Sequence, residues 1–300
     1  MRFVISEGED GKLLRTYLRE RGVSAALLAR LKREERGMLQ NGIPVTVRAV
    51  LRAGDVVELA IEDTTPPVHV LPRDLPVEIL LHTPDFTVCN KPANMPTHPS
   101  HGHFEDTLAN ALVYRLSTAE APFCPRFVNR LDRNTTGVVL VANHALSAAS
   151  LSRAMAQGQI KKRYLALVHG SIAAPVVIDA DIRRRAESII FREVCPKGAG
   201  EHALTEVMPL AEGNGVTLVA LTPHTGRTHQ LRVHLASIGH PLLGDDLYGY
   251  ADGFSRHALH AHVLRFPNAK GEEIEVRAPV PQDMLAVIET LGKEALIYAK

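Results

Sequence analysis

The sequence of 300 residues contains no tryptophan, and aromatic residues make up only 5% of it. Its three cysteines, Cys89, Cys124 and Cys195, are scattered and odd in number, and no two are spaced as Cys-x-x-Cys. This pattern disfavours both a disulfide framework and a cysteine zinc site. We therefore expect a reducing compartment, in which the cysteines serve as small buried side chains.

Long hydrophobic runs are also absent, since none approaches the roughly 18 apolar residues that a membrane span requires. The apolar start of the chain turns polar at Ser6 and Glu7, which leaves no room for the core of a signal peptide. The sequence thus predicts a soluble cytoplasmic protein with no membrane partner.

The chain has almost no net charge, because 34 basic residues face 33 acidic ones. This balance argues against a surface that is basic throughout, so any contact with RNA must use a local patch. The length is sufficient for two domains.

A local basic patch does occur, in residues 121–178. This segment contains a single carboxylate, Asp132, and seven basic residues: Arg126, Arg130, Arg133, Arg153, Lys161, Lys162 and Arg163. Nearby positive charge favours the ionised form of a carboxyl group, so Asp132 is a candidate nucleophile at neutral pH. On spacing alone, a salt-bridged structural aspartate is the commoner interpretation.

The surroundings of Asp132 favour the catalytic interpretation. Residues 129–137 are mostly polar and precede the apolar run 138–142, which predicts a loop at the entrance of a buried strand. Loops that a rigid scaffold positions commonly carry chemistry.

Four blocks, in the usual order, resemble the RluA-type RNA pseudouridine synthase family over roughly residues 77–280. Residues 129–137 are similar to its H-R-L-D-x-x-[ST]-G signature, with Asn129 in place of the usual His. Residues 90–99 resemble N-K-P-x-G…H-P, with Asn94 in place of Gly. Residues 162–170 match K-x-Y-x-A-x-V-x-G. Residues 225–249 match T-G-R-T-H-Q-[IL]-R-V-H…G-H-P…G-D…Y-G.

The resemblance implies an α+β fold of the pseudouridine synthase type, with a mixed, mainly antiparallel sheet and a central RNA-binding cleft. It implies that Asp132 is the catalytic nucleophile, that Tyr164 lies against the target base, and that Arg232 pairs with Asp132 and keeps it charged. Further residues that we expect to contact RNA in this domain are Lys91, His98, Arg130, Arg133, Lys162, Arg227 and His229.

The implied reaction is the isomerisation of specific uridines in structured RNA, either rRNA or tRNA, to pseudouridine. It breaks the bond between ribose and the uracil nitrogen and rejoins the sugar at carbon five, so it implies no cofactor. An ionised aspartate can add to the uracil ring or to the anomeric carbon, and both routes stay open. The target base must leave its stack within the folded RNA, and Tyr164 is the aromatic side chain expected to stack against it.

The N-terminal residues predict a separate small domain. Leu14 and Leu18 belong to the apolar face of one helix, Ser24 is placed to cap a second, and strands are predicted over residues 43–50 and 55–61. This arrangement resembles the alpha-L RNA-binding domain, with Arg33 among its expected RNA contacts. We predict an RNA-binding domain over residues 1–62, a proline-rich linker over 63–76 and a catalytic domain over 77–300.

Strand and helix patterns in residues 77–300 support the α+β class. Strand-like runs occur at 77–81, 86–89, 138–142, 164–168, 176–178 and 216–221, and helical patterns at 107–116, 145–155, 228–238 and 281–291. Pairs of strands with few helices between them disfavour a doubly wound parallel sheet.

Two alternatives remain. His98, His101 and His103 form one histidine cluster, and residues 257, 260 and 262 form another, so a zinc hydrolase must be considered. The first cluster lies in a loop-like segment, which disfavours a metal site. The second alternative is a non-catalytic RNA-binding protein that retains the fold. We expect a monomer whose partner is structured RNA rather than DNA.

Overall fold

The computed structural model describes residues 1–63, 65–118 and 121–299. Its helices are α1 (Leu14–Glu20), α2 (Ala25–Leu31), α3 (Leu108–Leu116), α4 (Ala145–Ala156), α5 (Gln230–Ser237) and α6 (Gln282–Thr290). Its strands are β1 (Arg2–Val4), β2 (Met38–Gln40), β3 (Ile43–Pro44), β4 (Val56–Leu59), β5 (Glu78–His82), β6 (Phe86–Lys91), β7 (Arg126–Phe127), β8 (Thr136–Ala142), β9 (Lys161–His169), β10 (Val176–Asp179), β11 (Asp181–Arg184), β12 (Arg192–Cys195), β13 (Leu204–Gly213), β14 (Val216–Pro223), β15 (Leu259–Pro267) and β16 (Glu273–Arg277).

A ten-stranded sheet forms the centre of residues 77–299. Its main order is β10-β13-β14-β9-β15-β8-β6-β5, with β16 paired to β15 and β7 to β8. The pairs in it are antiparallel apart from β8 with β15, which run parallel. The mainly antiparallel α+β class predicted from the sequence is confirmed.

The alternation of side chains along the strands gives the sheet two apolar faces. Val139 and Val141 of β8 join Tyr164 and Ala166 of β9 in one buried cluster, to which α3 and α5 also contribute. The opposite face is covered in two parts. Helix α4 packs on the β8 side, and α6 packs beside Leu165 and neighbouring residues of β9.

The N-terminal residues form two helices and a sheet of order β1-β4-β2-β3 around their own buried cluster. The hydroxyl group of Ser24 accepts a hydrogen bond from the backbone N–H of Leu27 at 3.1 Å, so the predicted cap of α2 is confirmed. The predicted strand over 43–50 is wrong beyond Pro44. Asn41 and Gly42, both at positive φ, instead form a tight turn between β2 and β3.

The linker predicted over residues 63–76 includes Thr64, which lies outside the described residues, as do positions 119, 120 and 300 of the predicted catalytic domain. The described part of the linker contacts α3, because Asn110 donates a side-chain hydrogen bond to the carbonyl of Leu71 at 2.7 Å. Asp63 forms an ion pair with Arg126 of β7. The domain boundaries themselves stay a prediction.

Helices long and apolar enough to span a membrane do not occur within residues 1–63, 65–118 and 121–299.

Candidate functional site

A cleft of about 460 Å³ opens where the loop before β8, strand β9 and the start of α5 meet. Eight of the residues predicted to form the site line it: His98, Arg130, Asp132, Lys162, Tyr164, Arg227, His229 and Arg232. The four blocks that supply them are separated in sequence, and the fold brings them together. Arg133, Lys91 and Arg33 do not line the cleft.

The loop that carries Asp132 is fixed by hydrogen bonds at Leu131 and Asn129. The hydroxyl of Thr97 donates to the carbonyl of Leu131 and accepts from its N–H. The Asn129 amide donates to the carbonyl of Val138 at 3.1 Å and accepts from Leu140 N–H at 2.8 Å. Asn129, at the position where the family usually has His, therefore anchors the loop to β8.

The side chain of Asp132 itself is 31% exposed and faces two basic groups. Its Oδ2 lies 3.8 Å from a terminal nitrogen of Arg232 and 3.9 Å from Nε2 of His229. Both distances exceed those of a direct hydrogen bond. The carboxylate is thus oriented by charge, while one side stays open to the cleft.

Lys91 corrects one sequence-based expectation, because it is fully buried and cannot contact RNA. Its ammonium group donates to the backbone carbonyls of Pro92, Met95 and Arg133 at 2.7–2.9 Å. Burial lowers its pKa to about 7, and the negative charge of Asp132 opposes that shift. Lys91 therefore ties the loop of Asp132 to the end of β6.

Arg232 is held by an acid that the sequence analysis did not single out. Asp245, which is completely buried, accepts two hydrogen bonds from the Arg232 guanidinium at 2.8 and 2.6 Å. This bidentate pair fixes the plane of the guanidinium and leaves one terminal nitrogen directed at Asp132. Burial opposes the ionisation of Asp245, but the Arg232 hydrogen bonds and charge lower its pKa.

His229 stands at the start of α5 in a left-handed conformation, with φ of 57°. Such a backbone is uncommon outside glycine and asparagine, and it clusters at functional sites. The ring is fixed at its other nitrogen, because Nδ1 lies 2.8 Å from the hydroxyl oxygen of Tyr248. Burial lowers the pKa of His229, with the positive charge of Arg232 acting in the same direction.

Tyr248 connects these groups. Its hydroxyl oxygen accepts a hydrogen bond from the backbone N–H of Arg192 at 2.9 Å, and the Arg232 guanidinium lies 5.2 Å from its ring centroid. If the Tyr248 hydroxyl donates its proton to Nδ1 of His229, the neutral ring carries its proton on Nε2. Electrostatics favour that tautomer, because Nε2 faces the Asp132 carboxylate.

Tyr164 extends from β9 into the cleft and is 8% exposed. Burial raises the pKa of its hydroxyl above the ordinary value, and the negative charge of Asp132 adds to that effect. The phenol is therefore protonated at neutral pH. A neutral ring at the floor of the cleft suits stacking against a base better than proton abstraction by a phenolate.

Four further basic residues line the cleft with different restraints. Arg130 donates to the Thr228 hydroxyl at 3.1 Å. Arg227 donates to Glu201 and to the carbonyl of His202, so it must release them to bind a phosphate. His98 packs edge-on against Phe127 with ring centroids 4.5 Å apart. Burial lowers the pKa of Lys162.

The remaining predicted RNA contacts lie elsewhere. Arg133 is exposed next to the cleft and donates to the side chain of Asn94. Asn94 has a φ of 58°, which explains why the family usually has glycine there. Arg33 lines a separate N-terminal groove of about 590 Å³ with Arg48.

Several histidines of the two clusters form hydrogen bonds to neighbouring side chains. His103 contacts Asp106 at 2.5 Å, His257 contacts the Thr135 hydroxyl at 2.8 Å, and His260 contacts that of Thr136 at 2.8 Å. A group of three or more His, Cys, Asp or Glu residues that could hold a metal ion does not occur among the residues that the structure describes.

Comparisons with known proteins identify the family of the chain. A family model described as RNA pseudouridylate synthase matches residues 85–237. The chain is 36% identical over 279 residues to YjbO of Bacillus subtilis, named an uncharacterized RNA pseudouridine synthase, and the match covers 92% of this chain and 98% of that one. It is 35% identical over 240 residues to the ribosomal large subunit pseudouridine synthase D of Zymomonas mobilis, covering 75% and 76% of the two chains.

Solved structures show the same fold. Human RNA pseudouridylate synthase domain containing 1 superposes with a TM-score of 0.58 at 33% identity, covering 68% of this chain and 83% of that one. Human RNA pseudouridylate synthase domain containing 4 superposes with a TM-score of 0.60 at 23% identity, covering 71% and 92%.

Proposed function

Because this chain belongs to the RNA pseudouridylate synthase family, we propose that Asp132 is the residue that reacts with the target uridine. The observation that carries this proposal is the position of its carboxylate. It is half-buried at the cleft, faces Arg232 and His229 within 4 Å, and shares the cleft with Tyr164. The proposed nucleophile Asp132, the arginine that faces its charge and the tyrosine proposed to stack on the base thus line one cavity.

The overall reaction is an isomerisation of uridine in RNA, and its atoms balance without a co-reactant. The bond from C1′ of the ribose to N1 of uracil breaks, and a bond from C1′ to C5 forms. The proton leaves C5, and N1 of the product carries one. Asp132 can assist by bonding transiently to the uracil ring or to C1′ and leaving again as a carboxylate.

The other residues of the cleft act by positioning. Tyr164 offers a flat neutral surface for the extruded base, which offsets part of the cost of unstacking. Arg232, whose orientation is fixed by Asp245, stabilises the charge on Asp132 before attack and after departure. Arg130 and Lys162 supply positive charge for the phosphates that flank the target nucleotide.

Retention of all three catalytic candidates argues against the alternative of a non-catalytic RNA-binding protein. Such a protein has no need of a carboxylate among basic residues or of a buried aspartate that orients the arginine beside it. Asp132, Tyr164 and Arg232 occur together in one cleft.

We propose large-subunit ribosomal RNA as the substrate, with tRNA as the competing class. The support comes from the names of relatives. The relatives from Zymomonas mobilis and Vibrio cholerae are both named ribosomal large subunit pseudouridine synthase D. The Vibrio cholerae protein is 36% identical to this chain over 240 residues. The test is to map pseudouridine in both RNA classes in cells that lack the protein. Loss of a site in ribosomal RNA supports the proposal, whereas loss in tRNA alone contradicts it.

We further propose that residues 1–62 form an RNA-binding domain attached through the linker of residues 63–76, and that a cytoplasmic monomer carries out the reaction. The support for RNA binding is the groove of the N-terminal domain, where Arg33 and Arg48 have no ion-pair partner among the described residues. Sedimentation of the purified protein, with and without substrate RNA, measures its oligomeric state and so tests whether it is a monomer.

A further inference from the structure

A second groove, of about 270 Å³, lies on the face of the sheet that turns away from Tyr164. Side chains of β9 alternate between the two faces, so Lys162 and Tyr164 point to the cleft while Lys161 and Arg163 point to this groove. Residues of β15, β16 and the C-terminal 3-10 turn Lys293–Ala299 complete it. We call it the rear groove.

The strand register concentrates positive charge in the rear groove. Lys161 lies directly opposite Arg265, and Val263 lies between Arg163 and Arg277. Glu275, opposite Arg265, is the acid of this block. Among the described residues of this block, Lys161, Arg163, Arg265 and Arg277 therefore face one carboxylate, in a chain whose total charge is +1. Like charges placed directly opposite each other destabilise a sheet, so the arrangement calls for an anionic partner.

Glu275 is already paired with arginines of this block. The Glu275 carboxylate accepts hydrogen bonds from Arg265 and Arg277, and these bonds lower its pKa. Lys161 and Arg163, by contrast, are exposed and form no ion pair within residues 1–63, 65–118 and 121–299. Their charges are available to a ligand.

The rear groove adjoins the candidate cleft at the start of β9. Lys162 lines both cavities, and on the neighbouring strand Pro223 lines the cleft while Thr222 lines the rear groove. A polyanionic chain that leaves the cleft past Lys162 can therefore pass around the end of β9. Tyr298, 41% exposed, adds an aromatic surface beside the cations.

We propose that the rear groove binds a single-stranded segment of the substrate RNA next to the target uridine. Lys161 and Arg163 contact its phosphates, and Tyr298 stacks on one of its bases. Cations combined with an exposed aromatic ring are the features by which proteins hold single-stranded nucleic acid without reading its sequence. The inference rests on the proposed function, because it takes the RNA in the cleft as its starting point.

The test compares two arginine variants of the full-length protein, Arg163→Gln and Arg115→Gln. Arg115 on α3 is also exposed and forms no ion pair among the described residues, and it lines neither cavity. The affinity for an RNA that extends at least ten nucleotides on each side of the target is measured from about 0.05 to 0.3 M salt. Removing one cation that binds a phosphate should reduce the slope of log affinity against log salt by about one.

We expect Arg163→Gln to reduce the slope by about one and Lys161→Gln/Arg163→Gln by about two, with Arg115→Gln near wild type. Tyr298→Ala should weaken binding several-fold, and Tyr298→Phe should restore it. On an RNA trimmed to the target stem, the losses in the groove variants should disappear. Equal slopes for Arg163→Gln and Arg115→Gln would overturn the proposal and leave an acidic protein segment as the occupant to consider.

Isomerisation by the wild-type protein, followed on the same RNA, separates this proposal from the function that it assumes. If the wild-type protein isomerises the RNA but Arg163→Gln and Arg115→Gln give equal slopes, RNA binding by the rear groove is contradicted and the proposed function is not. Absence of turnover on an RNA that carries the mapped site contradicts the proposed function instead.

Discussion

Single hydroxyl and carboxyl groups set the geometry around Asp132. Asp245 fixes Arg232 through two hydrogen bonds, and Tyr248 fixes His229 through one. Both restraints act on residues that face Asp132. A small change at either position should therefore alter the rate of reaction more than the affinity for RNA.

Replacing Tyr248 with Phe tests this expectation. The variant keeps the ring beneath Arg232 but removes the hydroxyl that contacts His229 and the Arg192 N–H. We expect kcat to fall about tenfold, equivalent to about 1.4 kcal/mol, with KM little changed. Tyr250→Phe, at an exposed ring two residues later, is the matched control. A kcat for Tyr248→Phe equal to that of the control would show that the hydroxyl has no positioning role.

The candidate catalytic residues could be proposed from the sequence, but the residues that hold them in place could not. Asp132 stood out as the lone acid in a basic segment, and Tyr164 and Arg232 lay in blocks of defined spacing. Asp245 and Tyr248 also lie in the block of residues 225–249. The spacing of that block does not indicate that Asp245 forms hydrogen bonds with Arg232. Lys91 was misassigned because a sequence does not reveal that an ammonium group is enclosed by three carbonyls.

At the scale of elements, the site depends on the parallel pairing of β8 with β15. Gly137 has a φ of 113°, and a Cβ atom there would lie 2.2 Å from the carbonyl oxygen of Ala261. Gly137 is the glycine of the block that contains Asp132, so the close approach of the two strands positions the loop of Asp132.

Gly137→Ala should destabilise the protein by about 2–6 kcal/mol, through backbone strain and a clash that neither strand can relieve. The control is Gly215→Ala, where φ is 73° but a Cβ atom would meet no atom within 4 Å. It should cost only the strain, about 1–3 kcal/mol. Urea unfolding of both variants measures the difference. Equal losses of stability in the two variants would mean that the close contact between β8 and β15 does not add to the cost of Gly137→Ala.

His260 links the same elements and makes stability depend on pH. Its ring contacts the Thr136 hydroxyl of β8 and the carbonyl of Ala278, and burial lowers its pKa to about 4. Between pH 6.5 and 4, the unfolded chain binds a proton at this position that the folded chain does not. The free energy of unfolding should therefore fall with decreasing pH in this window, by up to about 1.4 kcal/mol per pH unit.

The variant His260→Gln should be less stable than wild type at pH 7 but should lose stability less steeply between pH 6.5 and 4. Urea unfolding across this pH range measures the slope, with His101→Gln, at an exposed side chain, as the control. A slope for His260→Gln as steep as that of wild type would assign the acid sensitivity to other groups.

Long alternating or apolar strands were predictable, whereas short ones were not. The runs at 138–142 and 164–168 fall inside β8 and β9. The N-terminal strands β2 and β3 contain three and two residues, too few to display a period. The Asn41-Gly42 turn was the available signal for them.

At the scale of the whole molecule, the N-terminal residues pack onto the catalytic part. Leu146 at the start of α4 belongs to the N-terminal buried cluster, and Asp63 pairs with Arg126. Removal of residues 1–62 would therefore expose apolar surface as well as remove basic groups. Charge substitutions are the cleaner test of RNA binding by the N-terminal groove.

Arg33→Gln/Arg48→Gln should weaken RNA binding and reduce the slope of log affinity against log salt by about two, because each arginine is expected to bind one phosphate. Both arginines line the N-terminal groove, away from the cleft. Arg15→Gln on the exposed side of α1 serves as the control. A salt slope unchanged from wild type would show that the groove does not contact RNA.

The order of strands is the feature of the whole molecule that sequence patterns could not supply. Strand β15 lies between β8 and β9, although about a hundred residues separate it from either. Each strand pattern is compatible with many partners, and only three-dimensional packing selects among them. That selection is what places Asp132 and Tyr164 in one cleft.

The most direct test of the central claim is the single-turnover rate of Asp132→Asn on the RNA that carries the mapped uridine. The substitution keeps the shape of the side chain and removes its charge and nucleophilicity. We predict a rate at least about a thousandfold below wild type, with RNA affinity within about threefold, because the substitution removes the nucleophile but none of the basic groups that are expected to bind phosphates. A variant that binds the RNA and converts uridine to pseudouridine at nearly the wild-type rate would contradict the account.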